Sequence, residues 1–346
     1  MKVLVTGHRG YIGAEMVPAL LEAGHDVTGL DIGFFDGCDF IAPPDDVPAL
    51  HVDLRDVTPR ELEGFDAVVH LAALSNDPLG DLDARVTYDI NHHASVRLAR
   101  AAKDAGVRRF LFSSSCSVYG AGGRAPLDEN SALNPLTPYG KSKALVEQAL
   151  SGLAGASFSP VYLRNATAYG VSRRLRADVV VNNLVAYACT TGKVLLESDG
   201  TPRRPLVHLR DIVKAFRVVL DAPLEAVRDQ VFNVGASSEN YRISEIAELV
   251  ADLVPDCGVA FAPGASADFR DYCANFDKLP RVLPEFRPTH SLRGGIEELR
   301  DAYRHGLTRE AFKGPRYFRL RTVQHLRAQG LLDAHLRRTH PEPKRR

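Results

Sequence analysis

The chain has 346 residues, of which 45% are hydrophobic and 25% are charged, so most of it can fold around a substantial core and extensive disorder is excluded. Lysine plus arginine and aspartate plus glutamate number 43 each, and the resulting zero net charge provides no general attraction to nucleic acid or to a membrane surface. We therefore expect a small-molecule partner.

The five cysteines contain no CxxC pair, which argues against a disulfide framework or a structural zinc site and predicts no metal centre. Such cysteines suit the reducing cytoplasm. The opening MKVLVTGHRG lacks the long apolar core of a signal peptide, and no apolar stretch approaches the roughly eighteen residues that a membrane span needs. These features predict a cytoplasmic protein without a membrane partner.

Short β-branched runs alternate with amphipathic segments in the first half of the chain. Strands are predicted in KVLV, DVTGLDI, ALHVDL, AVVHLAA, RFLFSSS and PVYLRNA, with helices between most of them, as in YIGAEMVPALLEAG. This alternation predicts an α/β fold with a doubly wound parallel sheet covered on both faces.

The pattern loosens from about Val171, where proline-containing connections indicate a smaller domain interleaved with the sheet. We predict a sheet domain in residues 1–170, rejoined by about 206–235, and a smaller domain in residues 171–205 and 236–330. Residues 331–346 form a basic tail, and its end, RRTHPEPKRR, is predicted to be a frayed terminus rather than a binding arm.

Gly7, Gly10 and Gly13 stand between the first predicted strand and a helix. This context predicts a tight turn, a close backbone approach to a pyrophosphate, and a helix N-terminus directed at it. Asp31, at the end of the second strand, can accept hydrogen bonds from the adenosine ribose and would repel a 2′-phosphate, which favours NAD over NADP. Asp53, after the third strand, can accept from the adenine amino group or cap a turn.

The segment LTPYGKSKALVEQAL predicts a helix with Thr137 as N-cap and Pro138 in its first turn. Tyr139 and Lys143 are four residues apart and lie on one helix face. The ammonium group is predicted to lower the tyrosine pKa from its usual value of about 10, which would make Tyr139 a proton acceptor. The alternative is a solvated surface pair.

Four motifs carry a resemblance to a known family: GxxGxxG, HLAA after the fourth strand, SSSCSVYG after the fifth, and YGKSK in the next helix. Over roughly residues 1–300 the chain resembles the extended short-chain dehydrogenase/reductase family, in its NAD-dependent nucleotide-sugar epimerase and dehydratase branch. The resemblance implies a Rossmann-type sheet, a bound NAD, and a C-terminal substrate domain that holds a nucleoside-diphosphate sugar.

The resemblance also implies the catalytic group. Tyr139 would be the base, Lys143 would lower its pKa and bind the nicotinamide ribose, and Ser115 would orient the substrate hydroxyl, with the neighbouring serines as alternatives. The expected cofactor contacts are Gly7, Arg9, Gly10, Tyr11, Ile12, Gly13, Asp31, Asp53, Leu54, Leu71, Ala72, Ala73, Ser113, Tyr139, Lys143 and Ala166.

Cys116 and Ser117 bear on the type of reaction. Family members that dehydrate the sugar carry an Asp-Glu pair at these positions, so dehydration is disfavoured here. Cys116 is either a candidate acid or base for epimerisation or a small buried residue. We therefore expect an epimerase that forms a transient keto-sugar; a reductase or dehydratase is the alternative, and an NAD-sensing binding protein without catalysis is the least favoured reading.

Substrate contacts carry over unevenly from the family. Thr167 stands where the family often has an asparagine, and Arg204 matches the arginine that clamps a diphosphate. Ser75 and Asn76 are sugar-contact candidates, although they are equally good turn residues. The remaining candidates are Asn183, Leu184 and Arg270. Helices at about residues 94–105 and 139–150 look apolar on more than one face, which predicts a homodimer by analogy with the family.

Overall fold

The computed structural model describes residues 1–43, 45–121, 125–266 and 271–339. Its strands are β1 Lys2–Thr6, β2 Asp26–Leu30, β3 Ala49–Leu50, β4 Ala67–His70, β5 Arg109–Ser115, β6 Ser159–Asn165, β7 Thr167–Tyr169, β8 Lys193–Ser198, β9 Arg203–His208, β10 Gln230–Val234, β11 Asn240–Arg242 and β12 Gly258–Ser266.

Helices connect most of these strands. They are α1 Gly13–Glu22, α2 Asp77–Gly80, α3 Ala84–Thr87, α4 Ala94–Asp104, α5 Pro138–Ser151, α6 Val180–Thr191, α7 Leu209–Asp221, α8 Leu224–Val227, α9 Ile243–Leu253, α10 Lys278–Val282, α11 Leu292–Gly306, α12 Arg309–Lys313 and α13 Arg319–Ala328. Short 3₁₀ turns occupy Leu54–Asp56, Pro59–Leu62 and Cys116–Tyr119, and a π-helical turn at Tyr88–His93 leads into α4.

Within the described residues, seven strands form a parallel sheet in the order β10-β6-β5-β4-β1-β2-β3. The direction of winding reverses between β1 and β4, where ligands bind at the carboxyl ends of strands in doubly wound sheets. The six predicted strands are all present, and the predicted Rossmann-type fold is confirmed.

Both faces of the sheet are covered, which explains why its central strands are continuously apolar. On one face, Met16 of α1 and Phe216 of α7 lie in a core cluster with Val5. On the other face, Leu98 of α4 and Val146 of α5 pack in a second cluster. The sheet is therefore a rigid platform whose carboxyl edge carries the candidate site.

A separate core lies beyond the sheet and includes Leu184, Leu196, Ile246 and Leu299. These residues fall within the ranges predicted for the smaller domain, although the division of the chain into domains stays a prediction. Small sheets of β11-β9-β7 and β12-β8 accompany this core.

The C-terminal segment packs onto the sheet domain. Leu332 and Leu336 are 4% and 2% exposed and lie in a cluster with Leu74 and Leu79. Arg337 forms an ion pair of 2.6 Å with Asp56. The prediction of a frayed end is therefore wrong for residues 337–339, because buried leucines and charged contacts hold this segment against the sheet domain; residues 340–346 lie outside the described part of the chain.

Candidate active site and cofactor cavity

The glycine loop connects β1 to α1. Gly7 has φ +72°, and a Cβ atom at Gly13 would lie 2.2 Å from the Gly7 carbonyl oxygen, a distance at which the loop could not keep its shape. The Gly10 amide donates to the same carbonyl at 2.9 Å. The backbone is thus compact enough to approach a phosphate closely, as the sequence predicts.

Asp31 lies at the end of β2 beside this loop. Its carboxylate accepts hydrogen bonds from the backbone amides of Arg9 at 3.1 Å and Gly33 at 2.8 Å. The Arg9 guanidinium pairs with Asp36 at 3.0 Å and is therefore not directed to Asp31. An acidic group is thus fixed where an adenosine ribose is expected.

These elements border a cavity of about 980 Å³ at the carboxyl edge of the sheet. This volume includes the space at the open mouth of the cavity. The predicted cofactor contacts that line the cavity are Gly7, Gly10, Tyr11, Ile12, Gly13, Asp31, Asp53, Leu54, Leu71, Ala72 and Ala73.

Asp53 binds a neighbouring side chain, a contact that the sequence did not suggest. Its carboxylate binds the buried Arg55 guanidinium through contacts of 2.9 and 2.6 Å and also accepts from the Arg55 amide. The neighbouring Arg55 holds the Asp53 pKa below its usual value, although burial opposes this effect. Asp53 therefore caps the turn that begins at Leu54, and its contact with adenine stays a prediction.

The candidate catalytic group meets where β5 and α5 approach each other. Helix α5 begins at Pro138 with Thr137 as its N-cap, as predicted. Tyr139 lies close enough to Ser115 for that hydroxyl to lower its pKa, and the Lys143 ammonium lies 5.7 Å from the centre of the Tyr139 ring. The alternative of a solvated surface pair is excluded, because Lys143 is only 4% exposed and donates to the Ser113 carbonyl at 2.7 Å.

The electrostatics of this group differ from the sequence-based expectation. Burial raises the Tyr139 pKa to about 12, while the Ser115 hydrogen bond and the Arg176 charge act to lower it. Burial lowers the Lys143 pKa to about 7, against the Glu147 carboxylate. The prediction that Lys143 brings the tyrosine pKa below 10 is therefore wrong for this structure, because burial disfavours the charged form of each partner.

Cys116 lies directly after Ser115 but in a different environment. Its thiol is completely buried in the main core and donates to the Arg164 carbonyl at 3.3 Å. Burial raises the pKa of the thiol well above its usual value. This environment favours the interpretation of Cys116 as a small core residue.

Two predicted cofactor contacts lie beside the catalytic group, outside the cavity lining. The Ser113 hydroxyl accepts a hydrogen bond from Asn165 at 3.1 Å. Ala166 is buried between β6 and β7, and its amide donates to Val234 at 3.0 Å. Their roles toward a cofactor stay predictions.

One of the two candidate residues in the loop after β4 has a structural role. Asn76 caps α2 by accepting from Leu79 at 3.1 Å, and its amide group donates to Asp178 at 3.0 Å. Ser75 lines the cavity, where its hydroxyl accepts from Arg176 at 3.2 Å. The structure thus favours the turn interpretation for Asn76 and places Ser75 at the ligand cavity.

The other substrate candidates lie later in the chain, from β7 onward. Asn183 donates to the Ala177 carbonyl at 2.8 Å, and Leu184 is a buried core residue. Thr167, which opens β7, is half-buried. Arg270 lies outside the described residues.

Tyr272 is a site residue that sequence reasoning missed. The Arg204 guanidinium lies 5.9 Å from the centre of the Tyr272 ring, and Ser117 lies close enough to the Tyr272 hydroxyl to act on its pKa. Ser117 in turn contacts Ser115 at 3.0 Å. A single tyrosine in a loop has no periodic signal, so only the folded chain reveals that it reaches the catalytic group.

The parallel sheet, the glycine loop and the cavity at its carboxyl edge define a dinucleotide-binding α/β enzyme. The residues present fit NAD, because the glycine loop leaves no room for a Cβ and a fixed carboxylate stands at the ribose position. The model of the NAD dependent epimerase/dehydratase family matches residues 3–235.

The chain belongs to this family. The UDP-glucose 4-epimerase of Corynebacterium glutamicum is 30% identical over 315 residues, which cover 86% of this chain and 94% of that protein. MoeE5 in complex with UDP-glucose and NAD matches with a TM-score of 0.74 and 29% identity, covering 88% of this chain and 99% of that one.

DesIV, a dTDP-glucose 4,6-dehydratase from Streptomyces venezuelae solved with NAD and TYD bound, matches with a TM-score of 0.75 and 26% identity and covers 88% of this chain and 97% of that one. The comparisons confirm the resemblance, the NAD cofactor and the class of enzyme, an NAD-dependent nucleotide-sugar epimerase or dehydratase. Within the described residues, no helix is long and apolar enough to cross a lipid bilayer.

Proposed function

We propose that this protein is an NAD-dependent 4-epimerase of a UDP-hexose. The observation that carries the proposal is the contact of Tyr139 with Ser115 and Lys143 beside the NAD cavity. The similarity to the UDP-glucose 4-epimerase of Corynebacterium glutamicum supports uridine as the base and C4 as the reacting carbon.

The phenolate form of Tyr139, which burial disfavours, takes the proton of the C4 hydroxyl, and loss of the C4 hydrogen as hydride would leave a ketone. When bound, NAD would supply the hydride acceptor and the hydride donor, so that the reaction has no net oxidation. Ser115 orients the hydroxyl and stabilises the phenolate form through its hydrogen bond. Lys143 positions the base and, by analogy with the family, binds the nicotinamide ribose.

A second candidate function is dehydration, which the similarity to DesIV favours. The positions after Ser115 argue against it. Cys116 is a buried thiol with a raised pKa, and Ser117 is a hydroxyl, so neither is an ionised carboxylate at neutral pH. Epimerisation needs no Asp-Glu pair, because a single base takes the hydroxyl proton in the oxidation and returns it in the reduction.

The reaction can be followed by NMR with UDP-glucose, UDP-galactose and dTDP-glucose as separate substrates. Interconversion of the two UDP-hexoses without net NADH is the expected result. A 4-keto-6-deoxy product would indicate dehydration, and NADH accumulating in proportion to product would indicate an oxidoreductase. Conversion of none of the three sugars would contradict the proposal.

Replacement of Tyr139 by phenylalanine tests the assigned base. Turnover should fall by about 10²–10⁴, because general base catalysis contributes that much. Tyr187→Phe is the matched control, since Tyr187 lies on α6 and packs against Phe312. Near-normal turnover of Tyr139→Phe on the true substrate would refute the assignment.

We also propose a cytoplasmic homodimer. All five cysteines, each within the described part of the chain, are free thiols, which supports a reducing compartment. Leu145 on α5 is 38% exposed and supports the helical interface. Helix α4 exposes Arg97 and Arg100, so its solvent-facing side is polar, and its part in a dimer interface stays a prediction. A monomer mass by light scattering at micromolar concentration would contradict the dimer.

A further inference from the structure

Two buried arginines from distant parts of the chain line the cofactor cavity. Arg176 follows β7 and is 7% exposed, while Arg319 begins α13 and is 1% exposed. Neither was a site candidate in the sequence, and Arg319 lies beyond the region of family resemblance. Burial of two permanent charges beside a ligand cavity requires a physical reason.

Protein contacts account for part of their bonding capacity. Arg176 pairs with Asp178 at 2.9 Å, and the backbone amide of Arg319 donates to the same carboxylate at 3.1 Å. The Arg319 guanidinium donates to the Arg174 carbonyl at 3.0 Å and lies 4.1 Å from the centre of the Phe35 ring. These contacts fix the orientation of Arg319 and leave its charge without an ion pair among the described residues.

One nitrogen of each guanidinium remains unsatisfied. Among the described residues, Nη2 of Arg176 and Nη1 of Arg319 are buried and have no hydrogen-bond partner. Burial and the neighbouring Arg176 charge lower the Arg319 pKa to about 10. One carboxylate, that of Asp178, therefore stands beside two cations, and unpaired buried donors of this kind are costly unless an anion completes them.

The other residues of the cavity identify the anion. Gly7, Gly10 and Gly13 line the same cavity and belong to the phosphate-binding turn at the start of α1. A planar guanidinium binds phosphate oxygens through two parallel hydrogen bonds. We propose that Arg176 and Arg319 bind the diphosphate of NAD, so that the cofactor is held between the glycine loop and the C-terminal part of the chain.

The segment after α13 is held against the residues that follow β2 and β3. Arg338 donates to the carbonyls of Ile32 at 2.8 Å and Gly33 at 2.6 Å, beside the ribose end of the cavity. Arg55 donates to the Leu336 carbonyl at 3.3 Å. An NAD molecule held in this way would stay bound through both half-reactions, a consequence that rests on the proposed epimerase function.

Calorimetric titration of the full chain with NAD, ADP-ribose, adenosine and UDP tests the proposal. Arg319→Met should weaken NAD and ADP-ribose binding by about 10- to 100-fold, the range expected for charge-assisted hydrogen bonds, and leave adenosine binding unchanged. Arg321→Met is the matched control, because Arg321 is exposed on the same helix and stacks on Phe318. Arg319→Lys keeps the positive charge but lacks the planar guanidinium group. Its affinity for NAD and ADP-ribose should therefore lie between those of wild type and Arg319→Met.

Circular dichroism establishes whether each variant is folded. If the methionine variant is unstable, the lower affinity of Arg319→Lys relative to wild type still tests the proposal. Wild-type affinities of Arg319→Lys and Arg319→Met for ADP-ribose would overturn the proposal. A loss confined to UDP would also overturn it and assign the arginines to the substrate. Failure of the protein to epimerise UDP-hexoses would leave these affinities unaffected, so the two proposals fail separately.

Discussion

A buried ion pair beneath the catalytic group provides the sharpest test of how this site is supported. Glu147 and Arg164 are joined by contacts of 3.0 and 2.7 Å, and their side chains are 7% and 5% exposed. Glu147→Gln keeps the shape but leaves the guanidinium charge buried without its carboxylate. Loss of one partner of such a pair costs about 3–5 kcal/mol, a large part of the roughly 5–15 kcal/mol that stabilises a typical domain.

Urea unfolding of wild type, Glu147→Gln, Arg164→Met and the double variant completes a double-mutant cycle. The double variant should be more stable than Glu147→Gln, because neither charge then remains buried alone. A single variant within about 1 kcal/mol of wild type would refute the reasoning, since that loss is no more than an exposed ion pair contributes.

The same substitution should alter catalysis through Lys143. The Glu147 carboxylate raises the Lys143 pKa, which burial lowers to about 7. If turnover needs the ammonium form, it falls as pH rises through that value, and Glu147→Gln should move this limb to lower pH. For stability the sign is opposite: above pH 7 the unfolded chain, with a lysine pKa of about 10.4, binds the extra proton, so this group favours the folded state increasingly as pH rises.

Three further outcomes are expected. Gly13→Ala should abolish NAD binding by calorimetry, because its Cβ would lie 2.2 Å from the Gly7 carbonyl, whereas Gly258→Ala, which meets no atom within 4 Å, should bind normally. The His70 pKa is lowered to about 3 by burial, so stability should decline below pH 6.5 by up to about 1.4 kcal/mol per pH unit, and His70→Gln should flatten this slope in thermal melts. Cys116→Ala should retain epimerase turnover while losing about 1 kcal/mol of stability from the cavity left behind; inactivity in a folded variant would restore the thiol as acid or base.

Much of the framework could be predicted because its signals are local. The sheet strands follow from short β-branched runs, and Thr137 with Pro138 marks the start of α5 through ordinary capping chemistry. Gly13 could be predicted because its close contact with the backbone of Gly7 requires a glycine, and because the glycines of this loop have a recognisable spacing.

The remainder depends on contacts between distant parts of the chain. Arg319 reaches Arg174 across 145 residues, and no periodicity connects them. Lys143 is readable as a partner of Tyr139, but the extent of burial decides the direction of both pKa shifts, and burial is a property of the packed structure. Asp53 is predicted as a cap or a ligand without its bond to Arg55, because a carboxylate at a strand end fits both roles.

The contact between Arg338 and Gly33 has a consequence for synthesis of the protein. The two residues are separated by 305 positions, so at about 5–20 residues per second a ribosome completes one wall of the cavity roughly 15–60 s after the other. The nascent chain therefore exposes the apolar surface of Leu74 and Leu79 for most of that interval, until Leu332 and Leu336 cover it. Shielding of this surface by a chaperone during translation would be of most use before residues 331–339 emerge.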